Sequence, residues 1–295
     1  MLAGVNVGGT TTSVVLGTSA GEIVQRRAWP TQARDGDALI AAIVGALRRF
    51  GDAVEAVGVA IGGPMDARRG IIVAPPHLPG LHGVALGDEL HAALEVPVQV
   101  HHDAAACALA ETRWGAERGA FGLAYLTCGT GFGAGIAIDG RAHYGADGAS
   151  PEIGHVRYRD DGPDVFGKPG CFESYGSASA LPQLARRRDP ACDARTGADV
   201  AARAAAGDPA CAAAIADNAA AVGAACALLA DLLVLDVVIL GSLATYLGGA
   251  WIDAVRAAFA REALPDHAGT QLLPPTLPNV QDLSGLAAAL NSFRG

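Results

Sequence analysis

Two short stretches, "GGTTT" at residues 8–12 and "GTGFG" at residues 129–133, carry residue types suited to holding phosphate. Glycine has no Cβ, so the backbone N–H groups of Gly8, Gly9, Gly131 and Gly133 can approach a ligand closely, and the Thr10 and Thr130 hydroxyls add donors to its oxygens. Either turn alone is ordinary hairpin chemistry. Two of them in matching settings could hold a nucleotide triphosphate from both sides. Lys168 is the sole lysine and follows no G-x-x-x-x-G-K pattern, which excludes a P-loop. The polar residue ahead of the first turn is Asn6, a neutral amide where phosphate chemistry would usually want a carboxylate near the metal.

The elements around these turns alternate between strand and helix, which points to an α/β fold. "AGVNV" and "TSVVLGT" are β-branched runs joined by the first turn, and "GLAYLTCGTGFGAGIAIDG" repeats that layout around the second, implying two related lobes. "DALIAAIVGALRRF" places Leu39, Ile40, Ile43, Val44 and Leu47 on one helical face. "EAVGVAIGG" and "PVQVHHD" read as buried strands, and "AAACALAETRW" as the helix after the second. The stretch from Asp189 to Ala230 is Ala-rich and mostly helical, and "VVILGS" ends a late buried strand. Glycines and aspartates thus collect at strand ends, where open α/β sheets bind ligands. The expected division is residues 1–113 with a closing helix at 283–295, and residues 114–282 as a larger second lobe.

Length and composition agree with this reading. The chain has 295 residues, 51% hydrophobic and 17% charged, enough for a sizeable core. A formal net charge of -9 argues against nucleic acid as the partner, since phosphate backbones are bound by clustered Lys and Arg. No signal-like N-terminus is present, and Asp, Gly or Pro interrupts the apolar segments, so a cytoplasmic protein without membrane contact is expected. Six cysteines without a C-x-x-C pair read as reduced core thiols.

"GVNVGGTTT", "GVAIGGPMD", "HHDAAACALAE", "LTCGTGFGAGIAIDG", "PEIGH", "GKPGCFE" and "VVILGS", in this order and spacing, resemble the ROK family of bacterial sugar kinases and repressors, over essentially the whole chain. The resemblance implies two ribonuclease-H-like lobes of the actin/hexokinase type, with ATP and sugar in a cleft. It assigns Asn6, Gly8, Gly9, Thr10, Thr11, Thr130, Gly131 and Gly133 to the nucleotide phosphates and Mg²⁺, and Gly241 and Ser242 to the adenosine. Asp103 becomes the general base that takes a proton from the sugar hydroxyl; its alternative reading is a helix N-cap. Glu152, His155 and Glu173 would read the ring hydroxyls, with Gly62 and Gly63 letting backbone reach the ring. A homodimer is implied by analogy.

Three departures from the family pattern shape the expectation. Asn6 and Thr11 stand where the family usually has Asp and Lys, which predicts weaker Mg²⁺ binding. The family's zinc loop, C-x-C-G-x-x-G-C plus a histidine, is here "DVFGKPGC": His155 and Cys171 remain, but Asp164 and Phe166 replace two thiolates. No structural zinc is therefore expected, with Phe166 packing the loop instead. His102 and His77 replace two asparagines of the sugar pocket and Pro151 a glycine, so an amino sugar, another hexose or a cyclitol fits as well as glucose. A repressor would need an additional helix-turn-helix, and a catalytically weak sugar binder would not need Asp103.

Overall fold

The computed structural model describes residues 1–165 and 167–291. Its described residues divide into two compact units, one within residues 1–120, 135–151 and 276–291, the other within residues 121–134 and 152–275. Phe166, and with it the expectation that it packs the loop, lies outside the described residues.

The first unit opens with β1 (Leu2–Val7), β2 (Thr11–Gly17) and β3 (Ile23–Pro30), followed by α1 (Gly36–Arg48) and β4 (Ala56–Ile61). Short strands β5 (Met65–Asp66), β6 (Ile71–Ile72) and β7 (Val84–Ala85) form a small sheet of their own. Then come α2 (Leu86–Leu94), β8 (Val98–His102) and α3 (Asp103–Trp114). The main sheet has the order β3-β2-β1-β4-β8, with β1, β4 and β8 parallel. Val7 pairs with Ile61 and Ile61 with His102, so the three parallel strands end level with one another. Gly8, Gly62 and Asp103 therefore emerge at one carboxyl edge of the sheet, the place where such sheets bind ligands.

The second five-stranded sheet, ordered β11-β10-β9-β14-β15, is built from β9 (Gly122–Cys128), β10 (Phe132–Ile138), β11 (Arg141–Ala142), β14 (Val237–Leu240) and β15 (Gln271–Leu273). Between them lie the two-stranded β12 (Asp164–Val165) and β13 (Lys168–Pro169), helices α4 (Glu173–Gly176), α5 (Leu181–Arg188), α6 (Gly197–Ala205) and α7 (Pro209–Leu233), and after β14 the helix α8 (Leu243–Glu262). Strands β9 and β14 are parallel with Leu126 opposite Leu240, so Gly129 and Gly241 follow at a common edge, as in the first unit.

Contrary to the expectation that Asp, Gly or Pro breaks every apolar segment, α7 is long and apolar enough to cross a membrane by length and composition. More than half of its most apolar window is buried, and it packs against α5, α6 and α8 as a core helix.

Helix α9 (Val280–Ala289) returns to the first unit and lies across β1, β2 and β4. It approaches the sheet backbone to backbone: a Cβ on Gly58 would sit 2.1 Å from Ala289 N and Gly285 O, and one on Gly4 2.7 Å from Leu286 N. Asp282, nearly buried, fastens the helix by accepting from Ser13 Oγ at 2.7 Å and Arg26 Nε at 2.6 Å. The segment leading into it is tied to α3 by buried Glu111, whose Oε1 accepts from Thr276 N at 2.9 Å while Oε2 accepts from the Thr276 hydroxyl.

Candidate functional site

At the sheet edge of the first unit, alternation along β8 turns His101 into the core and His102 toward the opposite face, leaving Asp103 as the first residue of α3. Asp103 is not the N-cap that its strand-end position suggested; that position is His102, which caps nothing with its side chain. Asp103 Oδ1 accepts from Ala104 N at 2.6 Å, and its side chain keeps 44% of its surface exposed. The other oxygen faces Gly62, where even an added Cβ would stand 4.0 Å away. One oxygen is fixed by backbone and the other is open.

His102 lies beside it. Its Nδ1 is 3.2 Å from Asp103 Oδ1 but out of hydrogen-bonding alignment, and this buried nitrogen has no partner among the described residues. The ring rests on Gly63, where a Cβ would come within 3.0 Å of Cδ2. His77 is elsewhere on this unit: its Cβ stands 3.0 Å from where a Cβ of Gly9 would be, so it covers the first glycine turn. That turn is closed by Gly8 N donating to Thr11 O at 3.0 Å and is braced by Thr31, whose hydroxyl donates to Gly8 O at 2.7 Å and whose N–H donates to Thr10 O at 2.9 Å. Gly9, Thr10 and Thr11 are exposed, and Asn6, half-buried on β1, sits between Ser13 and Ala60.

Sequence reasoning passed over His101, which is fully buried beneath the β8–α3 junction. Its Nε2 lies 2.9 Å from Asn291 O, an acceptor only, so Nε2 carries the proton. Nδ1 then accepts from the Tyr144 hydroxyl at 3.0 Å, and Tyr144 Oη in turn accepts from His102 N at 3.1 Å. This relay fixes the backbone from which Asp103 departs. Burial lowers the His101 pKa from 6.5 to about 4, while burial raises that of Tyr144. Because the folded value lies below the unfolded one, the unfolded chain binds the proton first on acidification. The stabilisation is intact above pH 6.5 and is lost as pH falls from 6.5 through 4. The expected loss between pH 7 and pH 4 is about 3 kcal/mol. Denaturant titrations of the native chain and of His101→Gln check this: an equally steep decline in the variant would remove His101 as the cause.

In the second unit, Glu173 is the hub. Its Oε2 accepts from Phe132 N at 2.9 Å and would lie 3.1 Å from a Cβ on Gly131 and 3.4 Å from one on Gly154. It therefore joins the second glycine turn to the short helical turn Ile153–His155. Glu152 precedes that turn and His155 ends it, both exposed, and Lys168 Nζ donates to His155 O. Gly133 N donates to Thr127 Oγ1 at 3.2 Å, Ala178 N to Gly129 O at 2.8 Å, and Ser179 Oγ to Thr130 O. Gly241 N donates to Leu126 O at 2.8 Å, and Ser242 Oγ is 3.5 Å from where a Cβ of Gly129 would sit. The residues assigned to the second phosphate turn and to adenosine are thus adjacent.

The brace behind this turn was also missed. Buried Asn218 donates to Tyr175 O at 2.8 Å and Ser177 O at 3.4 Å and accepts from Trp251 Nε1 at 2.9 Å, holding the 175–179 loop against α7 and α8. An asparagine inside an Ala-rich helix pattern was the available signal.

Among the described residues no three donor atoms of His, Cys, Asp or Glu gather in the "DVFGKPGC" loop; Asp164 Oδ1 instead accepts from Gly167 N at 2.8 Å. The loop is held by side-chain stacking: Tyr158 lies on Phe172 with centroids 5.1 Å apart and meets Tyr175 edge-on at 5.4 Å, and the Arg159 guanidinium covers both tyrosines at 5.1 and 5.4 Å.

Known proteins resemble this chain throughout. A glucokinase of Thermotoga maritima is 36% identical over 189 residues, 63% of this chain and 60% of its own length. The chain thus aligns with less than two thirds of that relative. Mlc, a DNA-binding transcriptional repressor of Escherichia coli, is 29% identical over 133 residues, 45% of this chain and 33% of its own. Among solved structures, a ROK hexokinase from Thermus thermophilus superposes with a TM-score of 0.88 at 29% identity, covering 99% of this chain and 97% of that one. A ROK family glucokinase from Streptomyces griseus, in complex with glucose and AMPPNP, gives 0.78 at 28% identity, covering 98% and 97%. The fold is the actin/hexokinase-like α/β fold of these proteins. With the ROK family matching residues 2–292, the chain belongs to it.

Proposed function

We propose that this protein is an ATP-dependent phosphotransferase that phosphorylates a hydroxyl, the primary one, of a hexose or related sugar. The observation that carries this reading is Asp103: a carboxylate at the carboxyl edge of three parallel strands, one oxygen anchored and the other open beside Gly62. A protein that only binds sugar would not need a base so placed. In this reading Asp103 Oδ2 takes the proton of the attacking hydroxyl, and His102, 3.2 Å from Oδ1, turns to align with the carboxylate. Gly9, Thr10, Thr11, Thr130 and Gly131 are the proposed donors to the nucleotide phosphates, Gly8 and Gly133 shape the turns through N–H groups already given to Thr11 O and Thr127 Oγ1, and Gly241 and Ser242 are the proposed adenosine contacts. Glu152, His155 and Glu173 read the sugar; Glu173 has one oxygen committed to Phe132 N, which fixes the other.

Mg²⁺, carried in by the nucleotide, supplies charge neutralisation at the transferring phosphoryl group. Asn6 would serve a metal-bound water as a hydrogen-bonding partner but would add no negative charge, so weaker Mg²⁺ binding is expected. The named ligands of the Streptomyces griseus structure, glucose and AMPPNP, support both substrate classes.

The test is mass-spectrometric detection of phosphorylated product after incubating the purified protein with ATP, Mg²⁺ and a panel of hexoses, amino sugars and cyclitols. A product gaining one phosphoryl group is expected. Failure of ATP to bind in a parallel calorimetric titration would replace the kinase by a sugar-binding protein.

A further inference from the structure

The second unit holds a cluster of ligating groups that the proposed reaction does not use. Cys192 lies in the connection after α5, and Cys211 is the third residue of α7, whose N-cap is Asp208. The two Sγ atoms are 3.9 Å apart, and with an Asp208 carboxylate oxygen all three donors lie within 4.8 Å of one another. Both cysteines are buried, and Asp208, half-buried, lines a surface hollow with Arg188, Asp189 and Pro209.

The spacing discriminates between chemistries. A disulfide needs sulfurs about 2.05 Å apart, so the pair would have to close by nearly half its separation. Tetrahedral zinc with Zn–S bonds of about 2.3 Å sets a sulfur–sulfur edge of about 3.8 Å, which the thiols already match. Asp208 Oδ1 accepts from Ala210 N at 2.9 Å and Cys211 N at 3.1 Å, so the carboxylate is held before any ion arrives. Two thiolates, a carboxylate and a divalent cation leave one negative charge. The first-turn amides of α7 partly offset it.

We propose that Cys192, Cys211 and Asp208 form a binding site for one thiophilic divalent cation of the zinc class, with water from the hollow as the remaining ligand. Binding exchanges two thiol protons for the ion: the two S–H bonds break, two metal–sulfur bonds form, and both protons leave to solvent, with no change of oxidation state. The ion would tie the connection between α5 and α6 to the start of α7, independently of the catalytic reading.

Metal-free protein titrated with Co²⁺ tests this. One equivalent should develop a near-ultraviolet thiolate charge-transfer band and tetrahedral visible bands, both bleached by Zn²⁺. Cys171→Ala, which removes the thiol of the family's zinc loop, should leave the bands unchanged, and the pair Cys192→Ala with Cys211→Ala should abolish them. Asp208→Asn preserves the helix cap and should weaken Co²⁺ binding about tenfold or more, which covers the case in which the double variant does not fold. Absence of the bands at one equivalent, their survival in the double variant, or unchanged affinity in Asp208→Asn overturns the site.

Discussion

Asp103→Asn should lower turnover by about 10²–10⁴-fold, roughly 3–5.5 kcal/mol in activation free energy, with sugar and nucleotide binding changed only a few-fold. The asymmetry follows from the geometry. The amide oxygen of asparagine can still accept from Ala104 N, the bond of 2.6 Å that orients Asp103, so the start of α3 is preserved. The other position, facing Gly62, loses its only charge and its ability to take a proton. On the proposed reading binding rests on other groups, so the loss is expected in kcat rather than in KM. Initial rates on whichever sugar the panel identifies, with calorimetric titrations of sugar and nucleotide, separate the two. A variant retaining more than a tenth of native turnover would show that Asp103 does not act as the base.

Gly58→Ala should destabilise the protein by about 4 kcal/mol, more than most single substitutions. Gly58 lies on β4 between β1 and β8, and its missing side chain is where α9 rests. The atoms that a Cβ would strike at 2.1 Å, Ala289 N and Gly285 O, are backbone of α9 and cannot rotate aside. The whole helix must lift, straining the Asp282 bonds to Ser13 and Arg26. Gly45→Ala is the matched control. It lies inside α1 with nothing within 4 Å of the added atom, so it should stabilise by about 0.4–1 kcal/mol through the unfolded chain. Equilibrium denaturation of both variants checks the pair, and similar values for the two would refute close helix-to-sheet approach.

What could be read in the sequence follows from periodicity. The two hairpins, the strand ending at His102 and the helix from Asp103 to Trp114 are marked by apolar runs that stop at glycine or a charge. The glycine turns were visible because glycine and threonine announce backbone donors. What stayed hidden depends on distant partners. His101 and His102 are identical letters in sequence; only the pleat of β8, and Tyr144 and Asn291 from far along the chain, make one a buried relay and the other a flank of Asp103. Cys192 and Cys211 look like scattered core thiols until the fold brings their sulfurs within 3.9 Å. Gly58 and Gly285 look like weak points of a strand and a helix, and their meaning lies in each other.

The return of α9 to the sheet also sets a schedule. Strands β1, β4 and β8 are all made by His102, but the helix that covers them begins at Val280. At a synthesis rate of about 5–20 residues per second, residues 103–279 occupy the ribosome for roughly 9–35 s. For that interval the glycine-lined face at Gly4 and Gly58 has no helix to rest against it, and the second unit, contained in residues 121–134 and 152–275, is fully synthesised before that helix is. The part of the chain made first is thus the last to close.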